Sequence, residues 1–198
     1  YYPSGSSIYS PSSGQNVCKV NITGAANQWI NPQSLRLCFD LKNTTTAATN
    51  LLLRPLVGAH GFWRRLDVRM GGVQVESISQ MNRVQDMFLM LSSAPARAKD
   101  LNMVGGGLIE DETYTTLWRQ IPDGLSKGRT RNMSMSILSG LTAQSKFLWP
   151  NAAPIEFSFE LDDKDANLHL PLHPTTDAPL TSDSWQIENV YITADVIE

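Results

Sequence analysis

The stretch Leu66-Asp-Val-Arg-Met-Gly-Gly-Val-Gln-Val-Glu-Ser-Ile-Ser-Gln-Met-Asn-Arg-Val-Gln-Asp-Met-Phe-Leu-Met-Leu91 decides the fold class. Leu66, Val68 and Met70 alternate with polar residues, the period of a half-buried strand. Gly71-Gly72 permits the positive φ of a tight turn, and Val73 and Val75 resume the alternation, so the first half reads as a hairpin. The period then changes. Met81, Val84, Phe88 and Leu91 recur at helical spacing and predict a helix over Gln80 to Leu91 with Ser79 as its cap, and Met81, Val84, Met87, Phe88 and Leu91 read as core packing. Met90 falls off that face, where an exposed methionine suits a packing interface. A hairpin running into one amphipathic helix, in a chain otherwise made of strands, points to a β-sandwich with a helical insertion.

Outward from this stretch, Leu35, Leu37, Phe39 and Leu41 alternate with Arg36, Cys38 and Asp40 as a one-sided strand. Val17 to Ile22, Met133 to Ile137, and Ile155 to Leu161 repeat the pattern, and Leu51 to Leu53 is a short buried segment ended by Pro55. In the last strand, Trp185 to Ile197, the apolar parity shifts from Trp185 and Ile187 to Val190, Ile192, Ala194 and Val196, which predicts a β-bulge near Glu188-Asn189. About eight strands of this kind, joined by long loops, fit an antiparallel jelly-roll β-sandwich with one short helix inserted. Residues 1–16, rich in Ser, Gly, Pro and Tyr, read as an extended N-terminal arm, and 17–198 as a single jelly-roll domain. Ser92 to Thr130, with Pro95, Gly105-Gly106-Gly107 and Pro122, is weakly patterned yet carries Leu108, Ile109, Tyr114, Leu117, Trp118 and Ile121. It is expected to order against a neighbouring subunit.

With 198 residues, 41% hydrophobic and 18% charged, the chain can bury one full sandwich core and is short for two domains. A net charge of -3 and the lack of Lys or Arg before Lys19 argue against a basic arm that neutralises phosphates. No apolar run approaches the roughly 18 residues of a membrane span. The chain opens at Tyr1-Tyr2 without a methionine and closes in the strand-like Val196-Ile197-Glu198, so a piece of a longer polypeptide is expected. Cys18 and Cys38 lie in separate strands and are expected to be buried thiols, since two cysteines do not make a disulfide scaffold. The three Asn-x-Ser/Thr matches, at Asn21, Asn43 and Asn132, read as chance because two of them fall inside strands.

Residues able to carry chemistry are scattered. His169 and His173 have the spacing of a helical metal pair beside Asp162, Asp163 and Asp165, but Pro171 and Pro174 disfavour a helix there. Asp163-x-Asp165-x-Asn167 begins like a calcium loop, then has Leu168 at the glycine position and Pro174 at the glutamate position. Gly105-Gly106-Gly107 lacks the Gly-Lys-Ser/Thr ending of a phosphate loop. There is no Gly-x-Ser-x-Gly elbow, and His60 has no recognisable nucleophile partner. Glu110, Asp111 and Glu112 read as a solvated acidic turn. Arg64-Arg65 and Arg129-Thr130-Arg131 are expected in local ion pairs or in water. Trp63, Trp118 and Trp149 border predicted loops, where they would serve a carbohydrate platform or a protein interface. No catalytic, cofactor-binding or metal residue is therefore assigned, and no cofactor is expected.

Three blocks together resemble the major capsid proteins of polinton-like viruses, adintoviruses and virophages. The first runs from Arg64-Arg65-Leu66 to Leu91, with its Met-Gly-Gly-Val turn and Asn82-Arg83-Val84 opening the helix. The second is Ile137-Leu138-Ser139-Gly140-Leu141, then Ser145-Lys146-Phe147-Leu148-Trp149-Pro150 and Ala153-Pro154-Ile155-Glu156-Phe157. The third is Trp185-Gln186-Ile187-Glu188-Asn189-Val190. The resemblance lies in their order and spacing and covers most of the strand framework from residue 17 onward. It implies a double jelly-roll protein of which this chain is the first roll, a trimeric capsomer packed with other capsid proteins, and a place in an icosahedral virion assembled inside the host cell. It implies no enzyme and no specific nucleic-acid binding. The alternative of another class is a carbohydrate-binding jelly-roll module using loop tryptophans and a cation at Asp162 to Asp165. A cupin-type enzyme ranks below both, for want of a clustered His/Glu metal motif.

Overall fold

The structure, a computed structural model, describes residues 1–47, 51–93, 125–168, 170 and 181–197. In chain order the elements are β1 (Ile8–Tyr9), β2 (Val17–Ile22), β3 (Trp29–Ile30), β4 (Arg36–Asn43), β5 (Trp63–Met70), β6 (Val73–Ser79), α1 (Met81–Leu91), β7 (Thr130–Ser136), α2 (Gly140–Ala143), β8 (Ile155–Leu161), β9 (Trp185–Thr193) and β10 (Val196–Ile197).

The pairing radiates from the glycine turn. Gly71 and Gly72 both have positive φ (57° and 82°), so β5 and β6 close on two residues, with Met70 opposite Val73. The same chain reversal continues outward as β4 with β7, β2 with β8, and β1 with β9, all antiparallel. Rolled on itself, this long double strand forms two four-stranded sheets, β1-β9-β4-β7 and β2-β8-β5-β6. Strands that pair across one reversal share a sheet, and successive reversals alternate between sheets. That is the wiring of a jelly roll.

Each sheet turns its apolar parity inward. Val20, Phe157 and Val68 form one row across β2, β8 and β5, and Cys18, Phe159 and Leu66 form the next. Leu37, Phe39 and Leu41 face them from β4, joined by Met133 and Met135 of β7 and by Ile187, Val190 and Ile192 of β9. Trp63 spans the gap, edge-on to Phe39 and to Phe159 with ring centroids 5.5 Å apart in each pair.

The expected bulge is present. Cys38 pairs with Tyr191 and Asp40 with Glu188, so Asn189 and Val190 together oppose Phe39 alone, and Asn189 takes φ 50°. The extra residue turns Val190 and Ile192 inward after Ile187, which is the parity shift visible in the sequence.

Several expectations are corrected. Trp63 lies in the core and not at a loop, because β5 carries its own bulge: Trp63 pairs with Leu161 and Arg65 with Glu160, leaving Arg64 as the extra residue. Ser79 does not cap α1. It ends β6 opposite Arg65, and the chain passes from strand to helix through Gln80, left-handed at φ 55° with no side-chain cap bond. The last strand is two pieces, with β10 leaving β9 to pair with β3. Part of the N-terminal arm belongs to the sandwich: Ile8 and Tyr9 pair with Glu188 and Ile187, and the Tyr9 ring is buried in the core. A second, one-turn helix, α2, is capped by the Ser139 hydroxyl and by Glu76 of β6, which accepts from the Gly140 N–H at 3.1 Å.

Candidate assembly surfaces

The wiring brings the end of β4, the starts of β5, β7 and β9 and the end of β8 to one end of the sandwich, and α1 is seated there. Its inner side is polar. Buried Asn82 donates to Asp162 Oδ2 at 2.5 Å, and the other Asp162 oxygen accepts from the Asp163 N–H at 2.9 Å. His60, buried in the short 3-10 turn Ala59–Phe62, brings Nε2 within 2.6 Å of Asp86 Oδ1. The Asp162 N–H is itself held by the Phe62 carbonyl at 2.9 Å, so the seat is continuous with the start of β5. Met81 is the single fully buried apolar side chain of the helix.

The outer side is apolar, which reverses the expected orientation. Phe88 is 51% exposed, Met87 52%, Met90 74% and Leu91 78%. Period 3.6 put Met81, Val84, Phe88 and Leu91 on one stripe, but only its first turn reaches the core. The ties at buried Asn82 and half-buried Asp86 decide which side faces in, since leaving Asn82, Asp162 or His60 unpaired inside would cost about 1–3 kcal/mol. An amphipathic helix held by polar bonds with its apolar side in water is a surface made for contact.

The remaining residues considered for chemistry do not converge. Asp162 is engaged under α1, whereas Asp163 and Asp165 are exposed and lie near Arg64 (4.0 Å) and Lys164 (3.8 Å). Lys164 also donates to Asp183 at 2.9 Å, and that bond holds the Asp183 carboxyl below its usual range. Arg64 bonds Glu160, which raises its pKa further, and Arg65 Nε bonds Asp67 at 3.2 Å. Both arginines are thus in local ion pairs. Arg131 lies in the edge strand β7 opposite Leu41, and Arg129 just before it gives its carbonyl to Asn43. Among the described residues no three His, Cys, Asp or Glu side chains are grouped to hold a metal ion. His169, His173, Gly105-Gly106-Gly107, Glu110 to Glu112, Trp118 and the apolar residues from Leu108 to Ile121 lie outside the described residues.

Cys18 and Cys38 are buried free thiols, and burial pushes Cys18 up to about 11, so it is a neutral, unreactive thiol at neutral pH. Trp149 stacks on Trp29 with centroids 5.6 Å apart and donates Nε1–H to the Ala26 carbonyl. That pair sits at the opposite end, where β3 pairs with β10 and Ile30 bridges Leu148. With Trp63 in the core, Trp63 and Trp149 share no platform.

The residue most easily missed is Asn43, the last of β4. It is wholly buried, and all four of its side-chain hydrogen-bonding positions are used. Nδ2 donates to the carbonyls of Leu51 (2.9 Å) and Leu125 (2.8 Å), while Oδ1 accepts from the Thr45 N–H (3.1 Å) and the Ser182 hydroxyl (2.9 Å). Although Asn43-Thr44-Thr45 matches a glycosylation sequon, this amide is inaccessible in the folded chain.

The strand order and pairing define a class: an antiparallel jelly-roll β-sandwich. No family model matches the sequence, and no curated protein matches it. Among solved structures, the chain is similar to PBCV-1 VP54 fitted into a cryo-EM reconstruction of the virophage Sputnik (TM-score 0.48, 10% identity, 95% of this chain). It is also similar to a chain of the quasi-atomic model of the PBCV-1 virus capsid (TM-score 0.43, 10% identity, 95% of this chain). It spans 40% of the length of each of those chains. The fold assignment rests on strand order and pairing. No helix among the described residues is long and apolar enough to cross a membrane.

Proposed function

We propose that this chain is a structural subunit of a virus shell: the first jelly roll of a double jelly-roll major capsid protein, with no enzymatic role. The observation that carries the reading is α1, whose polar ties hold Met87, Phe88, Met90 and Leu91 outward on a rigid sandwich. The three sequence blocks that resemble this family support it, for they fall on the structural landmarks: the β5–β6 turn with α1, the α2 connection into β8, and the opening of β9 with its bulge. In this reading the mechanism is physical. Apolar and polar patches on one subunit meet a neighbour's, and many weak repeated contacts close a symmetric shell. The jelly roll, with β1 of the N-terminal segment included, forms one domain followed by a second roll, three such chains make a pseudo-hexagonal capsomer, and the assembled product is the virion capsid. Light scattering and electron microscopy of the full-length protein test this: discrete trimers with a pseudo-hexagonal outline are expected, and a protein monomeric at every concentration contradicts it.

A further inference from the structure

We propose that Asn43 is a positioning residue that locks the three loop roots at the α1 end into one unit, so that they meet a neighbouring subunit in a fixed relation. The assembly part of this rests on the capsid reading; the locking does not. The roots come from distant parts of the chain. The first, after β4, is held by the Thr45 N–H on Asn43 Oδ1 and by the Leu51 carbonyl on Nδ2. The second, before β7, is held by the Leu125 carbonyl on Nδ2, and Asn43's backbone bonds Arg129 O and Gly128 N at 3.1 and 3.0 Å. The third, before β9, is held by the Ser182 hydroxyl on Oδ1.

The roots are also bonded to one another around this residue. Leu53 and Leu125 exchange both backbone bonds, at 2.9 and 2.8 Å, and Ser182 N–H donates to Leu52 O at 2.9 Å. Asn43 is the side chain common to all three. In so dry a site a carboxamide is the side chain that fits, since two carbonyls require donors while an N–H and a hydroxyl require an acceptor. A buried polar network satisfied at every position specifies one arrangement and loosens as a whole when a member is lost. The three roots are therefore expected to open together rather than one at a time.

Two substitutions in the full-length chain test this by hydrogen exchange. Asn43→Asp keeps the shape but sets an oxygen against the Leu51 and Leu125 carbonyls. The protection of the Leu53, Leu125 and Ser182 amides should fall together by about tenfold or more, with Val68 and Phe157 unchanged. Ser182→Ala removes the bond to Oδ1 together with the hydroxyl's local bonds to the Ser184 backbone. It should nonetheless loosen the amides of Leu125 and Gly128, which bond Leu53 and Asn43 and not Ser182. Loosening confined to Ser182, Ser184 and their direct backbone partners, or no change at all, overturns the locking, and this variant decides the matter alone if Asn43→Asp does not fold. For a folded Asn43→Asp protein with loosened roots, association should require higher concentration. Unchanged association would overturn the presentation role while leaving the locking intact. A wild-type protein that never associates would instead refute the capsid reading.

Discussion

Strand β8 and helix α1 are both amphipathic, and they point their apolar sides in opposite directions. In β8, Ile155, Phe157, Phe159 and Leu161 are buried between the sheets, and the intervening Glu156, Ser158 and Glu160 face water. In α1, the one buried position after Met81 is Asn82, half-buried Asp86 is tied to buried His60, and the exposed apolar residues are Met87, Phe88, Met90 and Leu91. A strand inside a sheet has its facing fixed by neighbours on both edges, so its period alone tells which residues enter the core. A helix resting on one end of a sandwich has no such constraint. One buried and one half-buried hydrogen-bonded pair then outweigh the tendency of the apolar stripe to face inward.

The largest test of this contrast is Phe157→Ala. It should destabilise by about 3–5 kcal/mol in denaturant unfolding, with Ser158→Ala within about 0.5 kcal/mol. Equal effects would place the strand in the wrong register. Next is the alkaline response of Cys18, which pairs with Phe159 in the same core row. Burial raises its folded pKa from the ordinary thiol range to about 11. An acid whose folded pKa is raised contributes stability that is complete below its unfolded pKa and lost as pH rises through the folded one. About 2–3 kcal/mol should therefore disappear between roughly pH 9 and 11. Tyr9, raised by the same burial, adds to the loss above its ordinary range. In Cys18→Ala the slope of stability against pH should flatten between roughly 9 and 10, and a slope like that of wild type would remove Cys18 as its source.

Smaller effects separate the two sides of α1. Asn82→Ala leaves Asp162 short of a donor in a buried site and should cost about 1–3 kcal/mol by thermal or denaturant unfolding. Phe88→Ser, on the outward side, should change the stability of the isolated chain by no more than about 0.5 kcal/mol while weakening self-association. A core-sized loss at Phe88 with none at Asn82 would mean that the helix is turned the other way.

The same contrast explains what could be read from the sequence. The jelly roll was legible because strict alternation in β4, β8 and β2 marks one-sided strands, and because Gly71-Gly72 marks the turn from which the pairing radiates. The bulge at Asn189 was legible as a parity shift within one strand. The bulge at Arg64 was not: it flips only Trp63, one residue from the strand's start, too short a run for a period to register. Strands β1 and β3 have two residues each, and α2 has one turn, so neither period applies to them. The facing of α1 is set by His60 and Asp162, which are 26 residues before Asp86 and 80 after Asn82. The Asn43 node is similarly nonlocal, since Leu125 and Ser182 stand 82 and 139 residues away. No pattern of neighbouring residues marks such an asparagine as buried.

The central claim, that α1 offers its apolar side to a neighbouring subunit, is tested most directly by methionine oxidation read by mass spectrometry on dilute and on assembled protein. Met81, Met133 and Met135, all buried in the core, serve as internal references. Met87 and Met90 should oxidise readily in the dilute chain, with the three references protected, and should become protected on assembly. Protection of Met87 and Met90 in a strictly monomeric sample, or their continued oxidation in the assembled one, would contradict the account.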